Sequence, residues 1–289
     1  KDMLIFKGGT SLSKGYGIIE RFSEDIDLSV HASAFGVEIE PDFAALSKSQ
    51  RDNRIKHLYR AARQFIQNAL IPELTQRLET TLQGFDWRLD LSEVKKDFHI
   101  LRFTYPSVLT EQDQLAYARP YVQIELSARA EHEPAETKSV QPYIAGQFPQ
   151  IFEQADTAVK VLAAKRTFWE KATILHAEAS RPANEPIPQR LARHAYDLHQ
   201  LMQSSIGAQA RAEPELLRRV AQHKAFCYTQ ADVDYTAAHT GGLQVAPRGR
   251  RQQELENDYT AMRDFFMSEP PAFSDILQSL HHIEQQANQ

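Results

Sequence analysis

The apolar positions change period twice within the first thirty residues. Residues 3–6 form a short continuous run that ends at Gly8-Gly9, which predicts a strand entering a turn. Thr10 or Ser11 can then cap a helix expected to continue through Ile19. Over residues 23–30 the pattern alternates. Ile26, Leu28 and Val30 face one way and Asp25, Asp27 and Ser29 the other, a strand with one polar face. Residues 31–50 read as a loop or an insertion. Over 54–70, apolar side chains recur at helical spacing (Leu58, Ala62, Phe65, Ala69), and a second helix is expected after Pro72. Three strand-like stretches follow at 85–91, 98–105 and 121–127, a largely antiparallel meander that completes a sheet. In the last, Val122, Ile124 and Leu126 oppose Tyr121, Gln123 and Glu125.

From Asp156 onward only helical patterns are expected, broken by a loop at "RPANEPIP" and a glycine-containing stretch at 240–249. The predicted fold is α/β (α+β): a module over 1–150 with a mixed or antiparallel sheet and a helical insertion near 40–83, followed by a mainly helical domain over 151–289.

Composition narrows the function classes. With 289 residues the chain is long enough for one large or two ordinary domains. A net charge of −5 argues against a surface coated in basic residues, so any nucleic-acid contact must come from a local patch. Arg51, Arg54, Lys56, Arg60 and Arg63 supply one such region, either a solvated helix face or an RNA-backbone contact. Cys227 is the sole cysteine, which excludes an internal disulfide and a cysteine-type zinc site. No run of eighteen apolar residues and no leader-like opening occurs, so the expectation is a cytoplasmic protein without a membrane partner. Because the chain opens at Lys1 so close to the diglycine, an N-terminal segment packing beside the first strand is expected to precede it.

The candidate chemistry starts at Asp25 and Asp27. Two apart on a strand, both carboxylates leave one face with Cα atoms roughly 6.5–7 Å apart. Such a pair can hold divalent ions with phosphate oxygens, or be no more than exposed strand aspartates. The upstream loop favours the first reading. Gly8 and Gly9 let backbone approach an anion, Thr10 and Ser11 add hydroxyls, and Lys7 and Lys14 add charge. The plainer reading is a glycine turn with a helix cap. It is no P-loop, since that pattern is missing.

Glu125 is the best third acid, unless it is a surface glutamate on an edge strand. In "VKVLAAKRTFWEKATILH", Lys165 sits among Val161, Leu162, Phe168 and Trp169 in a helix expected to be strongly amphipathic. There it can bind β/γ-phosphates or simply snorkel to water; Lys171 is less committed. In "RLARHAYDLHQL", Asp197 can orient Lys165 or the nucleotide, or form a helix-surface salt bridge. The eleven histidines contain no metal motif, and His281-His282 read as exposed.

These residues resemble the AbiEii/AbiGii-type nucleotidyltransferase toxins, within the polymerase-β-like nucleotidyltransferase superfamily. The motifs that carry the likeness are "FKGGTSLSK", "RFSEDIDLSV", "AAKRTFWEKATILH" and "RHAYDLHQL", in that order. The resemblance implies a polymerase-β-like core and an enzyme that transfers NMP from an NTP to an acceptor. It also implies a toxin of a type IV toxin–antitoxin or phage-defence system, with a tRNA or other RNA acceptor and a cognate antitoxin. By family position, Gly8, Gly9, Thr10 and Ser11 would hold the triphosphate, beside the charge that Lys7 and Lys14 supply. Asp25 and Asp27, with Glu125 as the less firmly placed third acid, would hold Mg²⁺ or Mn²⁺. Lys165 would contact phosphate, and Asp197 would complete the later motif. One departure stands out: His194 occupies a position where the family often carries an acid. Two other readings stay open, a small-molecule or protein acceptor and a non-catalytic nucleotide-binding module.

Overall fold

Among the described residues seven strands pair into one sheet, most of them because their apolar positions alternate or run continuously. They are β1 (Leu4–Lys7), β2 (Asp25–Val30), β3 (Arg88–Val94), β4 (Phe98–Thr104), β5 (Tyr121–Ser127), β6 (Ala135–Val140) and β7 (Thr157–Leu162). The computed structural model describes residues 3–23, 25–35, 46–94, 98–106, 121–182, 184–228, 230 and 232–289. Glu24 of the acidic motif, the middle of the expected 31–50 loop and Ala183 of the "RPANEPIP" loop lie outside these. The chain divides into two compact units, one of residues Lys1–Ser11 and Ser23–Val161, the other of Leu12–Phe22 and Leu162–Gln289.

In the first unit the strand order is β3-β4-β5-β2-β1-β7-β6. The expected meander is present: β3–β4 and β4–β5 are antiparallel. β2 runs parallel to β5 and antiparallel to β1. The resulting mixed sheet has two unlike faces. Val30, Leu101 and Leu126 lie on the apolar face, packed with Phe65, Ile66 and Leu74. Those three come from α2 (Lys48–Phe65), α3 (Ile71–Thr81) and the π-helical stretch Ile66–Leu70 that joins them. Each fully buried aliphatic side chain contributes roughly 1.5–3 kcal/mol. Helix therefore runs on through residue 71 into Pro72 rather than restarting after it. The π stretch directly before Pro72 fits this, because proline has no N–H for the ordinary α-helical bond. A short helix α4 (Tyr143–Gln147) follows β6.

The second unit is helical: α5 (Ala164–Ala179), α6 (Ala192–Gln203), α7 (Ser205–Arg211), α8 (Pro214–Cys227), α9 (Arg250–Ala261) and α10 (Phe273–Ala287). Its core gathers Leu12, Phe168, Leu198, Leu201, Leu280 and Ile283. Backbone bonds from Phe22 N–H to the Phe265 carbonyl (2.7 Å) and from Met267 N–H to the Glu20 carbonyl (2.9 Å) tie residues 20–22 to it.

Three further expectations are corrected. The first helix, α1 (Gly8–Lys14), begins at the diglycine and stops well before Ile19. Gly17 takes a positive φ of 63° and the Ile18 N–H returns to the Leu12 carbonyl, which turns the chain out of the helix. Residues 157–162 are not helical but form β7, parallel to β1 with Phe6 opposite Val161. Finally, α5 is buried on nearly every side rather than amphipathic, including Arg166, Thr167, Lys171 and His176. Among the described residues no helix is long and apolar enough to cross a membrane.

Candidate active site

The polar face of β2 sits at the centre of the sheet, and register decides what its acids meet. Asp27 is opposite Lys7 on β1 and opposite Glu125 on β5, while Asp25 is opposite Gln123. Directly paired residues share a face with Cβ atoms about 4.5–5.5 Å apart. Asp27 therefore lies in a row with a lysine on one side and a glutamate on the other. The Gln123 amide donates to Glu125 Oε1 at 3.2 Å.

The diglycine bend is built against this row. Gly8 has φ +73°, and a Cβ added to it would fall 2.0 Å from Asp27 Oδ2. Only glycine satisfies both the conformation and the approach. Gly9 is buried at the same turn. The Thr10 hydroxyl donates to the Asp25 carbonyl and lies 2.8 Å from the Ser23 hydroxyl, fastening the bend to the start of β2. Ser11 is fully buried and donates to the Gly8 carbonyl at 2.9 Å. Both hydroxyls thus bond within the protein and fix the loop's shape.

In the row the acids outnumber the one lysine. Burial pushes the Glu125 carboxyl above the usual carboxylate range, and the charges of Asp27 and Asp25 push it further. The Gln123 hydrogen bond and Lys7 oppose this only in part. Among the described residues no group of three His, Cys, Asp or Glu is arranged as a metal-holding cage. Magnesium needs no such cage, since it binds through one or two carboxylates and completes its shell with waters and substrate phosphate oxygens. Asp25 and Asp27 on β2, with Glu125 beside them on β5, offer carboxylate oxygens for that mode.

In the second unit, Lys165 Nζ pairs with Glu213 Oε1 at 2.6 Å. Asp197 is completely buried. Arg21 grips it in a fork, Nε to Oδ1 and Nη2 to Oδ2, both 2.7 Å, and Lys171 Nζ reaches Oδ2 at 2.7 Å. Its partner is thus Lys171, not Lys165, and the contact is a buried cluster rather than a helix-surface bridge. Burial pushes the Asp197 carboxyl up, but the Arg21 and Lys171 charges and their hydrogen bonds outweigh it and hold it far below the ordinary range. Burial, then Lys171 and Arg193, keep His194 well below the usual histidine range, so it is neutral at pH 7. Lys14 closes α1, and partial burial lowers its ammonium pKa.

Arg21 went unremarked in the sequence, and Lys171 was undervalued there beside Lys165. Lys171 stands three residues after Phe168 and four before Leu175, a charge on an apolar stripe, which was the available signal. A cavity of about 140 Å³ in the second unit, lined by Leu175, Leu191, Val245, Arg251 and Leu255 among others, includes none of the candidate residues.

Among solved structures, the nucleotidyltransferase toxin MenT4 of Mycobacterium tuberculosis H37Rv aligns at 18% identity over 91% of this chain and 85% of its own, with a TM-score of 0.32. That superposition is too loose to carry an argument. No curated protein matches the chain. The family model described as "Nucleotidyl transferase AbiEii toxin, Type IV TA system" matches residues 1–279. The chain therefore belongs to the AbiEii nucleotidyltransferase toxins of type IV toxin–antitoxin systems.

Proposed function

We propose that this toxin moves a nucleoside monophosphate from an NTP to a hydroxyl of RNA, with tRNA as the expected acceptor and Mg²⁺ or Mn²⁺ required. The observation that carries the reading is the row Lys7–Asp27–Glu125 with the Gly8 backbone pressed against its central carboxylate. A site for a polyphosphate needs backbone that can approach it, a cation for its charge and carboxylates for the accompanying metal. This row has all three within one unit.

The acceptor oxygen attacks the α-phosphorus, the bond from that phosphorus to the bridging oxygen breaks, and pyrophosphate leaves. Glu125 takes the acceptor's proton, a role suited to a carboxylate whose proton affinity is raised by burial and by its acidic neighbours. Lys7 and the N–H groups of Gly8 and Gly9 hold the phosphate tail, while Thr10 and Ser11 keep the bend in shape. Asp25 and Asp27 would hold the divalent ion, which when bound supplies Lewis acidity at the α-phosphate and balances the carboxylate charge. Lys14 adds charge near the bend, and Lys165 contacts phosphate as the family resemblance implies. Asp197, with both oxygens engaged, acts as a positioning residue for Arg21 and Lys171.

The family implies a cognate antitoxin, and we place the activity in the cytoplasm, where NTPs and RNA meet. Incubating the purified protein with Mg²⁺, α-labelled NTP and total RNA tests the reading. RNase-sensitive label supports it, and label on a small molecule or protein, or on nothing, opposes it.

A further inference from the structure

We propose that the outward face of α2 is an RNA-backbone docking surface, remote from the acidic row and separate from the chemistry. This deepens the functional proposal and rests on RNA being the acceptor. α2 carries six basic side chains and one acid over 18 residues, a net +5 in a chain of net −5, so the remaining residues carry −10. Lys56, Arg60 and Arg63 follow one another at spacings of four and three, all exposed on one side, with Lys48 exposed at the helix start. Leu58 and Ala62 are buried on the opposite side, so packing fixes which way the basic stripe points. The stripe from Lys56 to Arg63 is about 10 Å long.

Two features separate it from an ordinary solvated helix face. First, exposed arginines on other helices are matched by a glutamate three or four residues away: Arg77 with Glu73, Arg218 with Glu215, Arg250 with Glu254. Among the described residues Lys56, Arg60 and Arg63 close no ion pair, and Asp52, four before Lys56, closes none with it. Second, the charge works against the helix. Its first turn holds no acid, and Lys48 and Arg51 sit at the positive end of the helix dipole. A neutral capping box of Ser47 and Gln50 holds that end instead. Like charges at these spacings gain nothing from each other, and a polyanion along the stripe relieves them. A helix whose apolar side is committed to packing has no apolar face to insert into lipid, so the phosphodiester backbone is the occupant the surface fits.

The test compares the full chain with Lys56→Gln/Arg60→Gln/Arg63→Gln and with the corresponding triple Glu variant, using fluorescently labelled bulk tRNA across a salt series. The Gln variant is expected to bind at least tenfold more weakly near 0.1 M salt. Its log-affinity slope against log salt should be shallower by roughly 2–3. The Glu variant should bind more weakly still. Transfer to a short single-stranded acceptor should stay at the wild-type rate, which also shows that the variants fold. Wild-type affinity and slope in the Gln variant overturn the proposal even if nucleotidyl transfer stands. Binding of wild type to anionic phospholipid vesicles in preference to tRNA overturns it in favour of a membrane. If wild type binds tRNA through the stripe but labels no RNA, docking is upheld and the acceptor reading alone fails.

Discussion

Gly8 and Asp27 are packed so closely that no side chain fits between them: a Cβ on Gly8 would lie 2.0 Å from Asp27 Oδ2 and 2.7 Å from its Cγ. The bend and the acidic strand are thus one construction. Gly8→Ala must displace the carboxylate and also hold a positive φ, which costs an L-residue about 1–2 kcal/mol. The expected result is at least a hundredfold loss of transfer with only a few degrees off the melting temperature. A variant with wild-type turnover would show the contact to be incidental.

Removing charge from the row should separate activity from stability. Asp27→Asn is expected to abolish transfer yet melt at or above the wild-type temperature without metal, because it removes a like charge that adds to the burial already raising Glu125. Mg²⁺ should raise the wild-type melting temperature through preferential binding to the folded state, and raise that of Asp27→Asn much less. Equal metal-induced shifts in the two proteins would separate Asp27 from the metal.

Glu125 gives a pH signature. Its folded value is raised, so its stabilising contribution is fully present below the ordinary glutamate value of about 4.3 and disappears as pH climbs through the folded value. Glu125→Gln should accordingly melt higher than wild type at pH 8 and no higher at pH 4, both without metal. The rate should rise with pH as Glu125 ionises. The same melting difference at both pH values would remove the raised carboxyl from the account.

Asp197 behaves in the opposite sense. Its folded value is depressed, so its contribution is present above about pH 4 and is lost as pH falls through the folded value. Asp197→Ala leaves Arg21 and Lys171 buried without their counter-ion and should cost about 3–5 kcal/mol in urea unfolding. A loss under 1 kcal/mol would mean that water reaches the cluster.

Which strand faces carry the candidate acids could be read from spacing, because that much is local. The alternation of Ile26, Leu28 and Val30 against Asp25 and Asp27 fixed the acidic face, and "YVQIELS" put Glu125 on a polar one. What spacing could not supply was register, which brings Glu125 and Lys7 to Asp27 from elsewhere in the chain. β7 was hidden because "TAVKVL" runs directly into the apolar start of α5, where a buried strand and a buried helix look alike. Lys171 and Arg21 were undervalued for a related reason. A buried cation makes sense only with its counter-ion, and Asp197 lies 176 residues beyond Arg21. Lys165, the more prominent lysine in the same stretch, turned instead to Glu213.

The most direct test of nucleotidyl transfer at the Asp27 row uses wild type and Asp27→Asn side by side, with total RNA, Mg²⁺ and each α-labelled NTP in turn, resolved on a denaturing gel. Wild type should place label from at least one NTP on RNase-sensitive bands that vanish with EDTA, and Asp27→Asn should place none. Equal labelling by the two proteins would contradict the account.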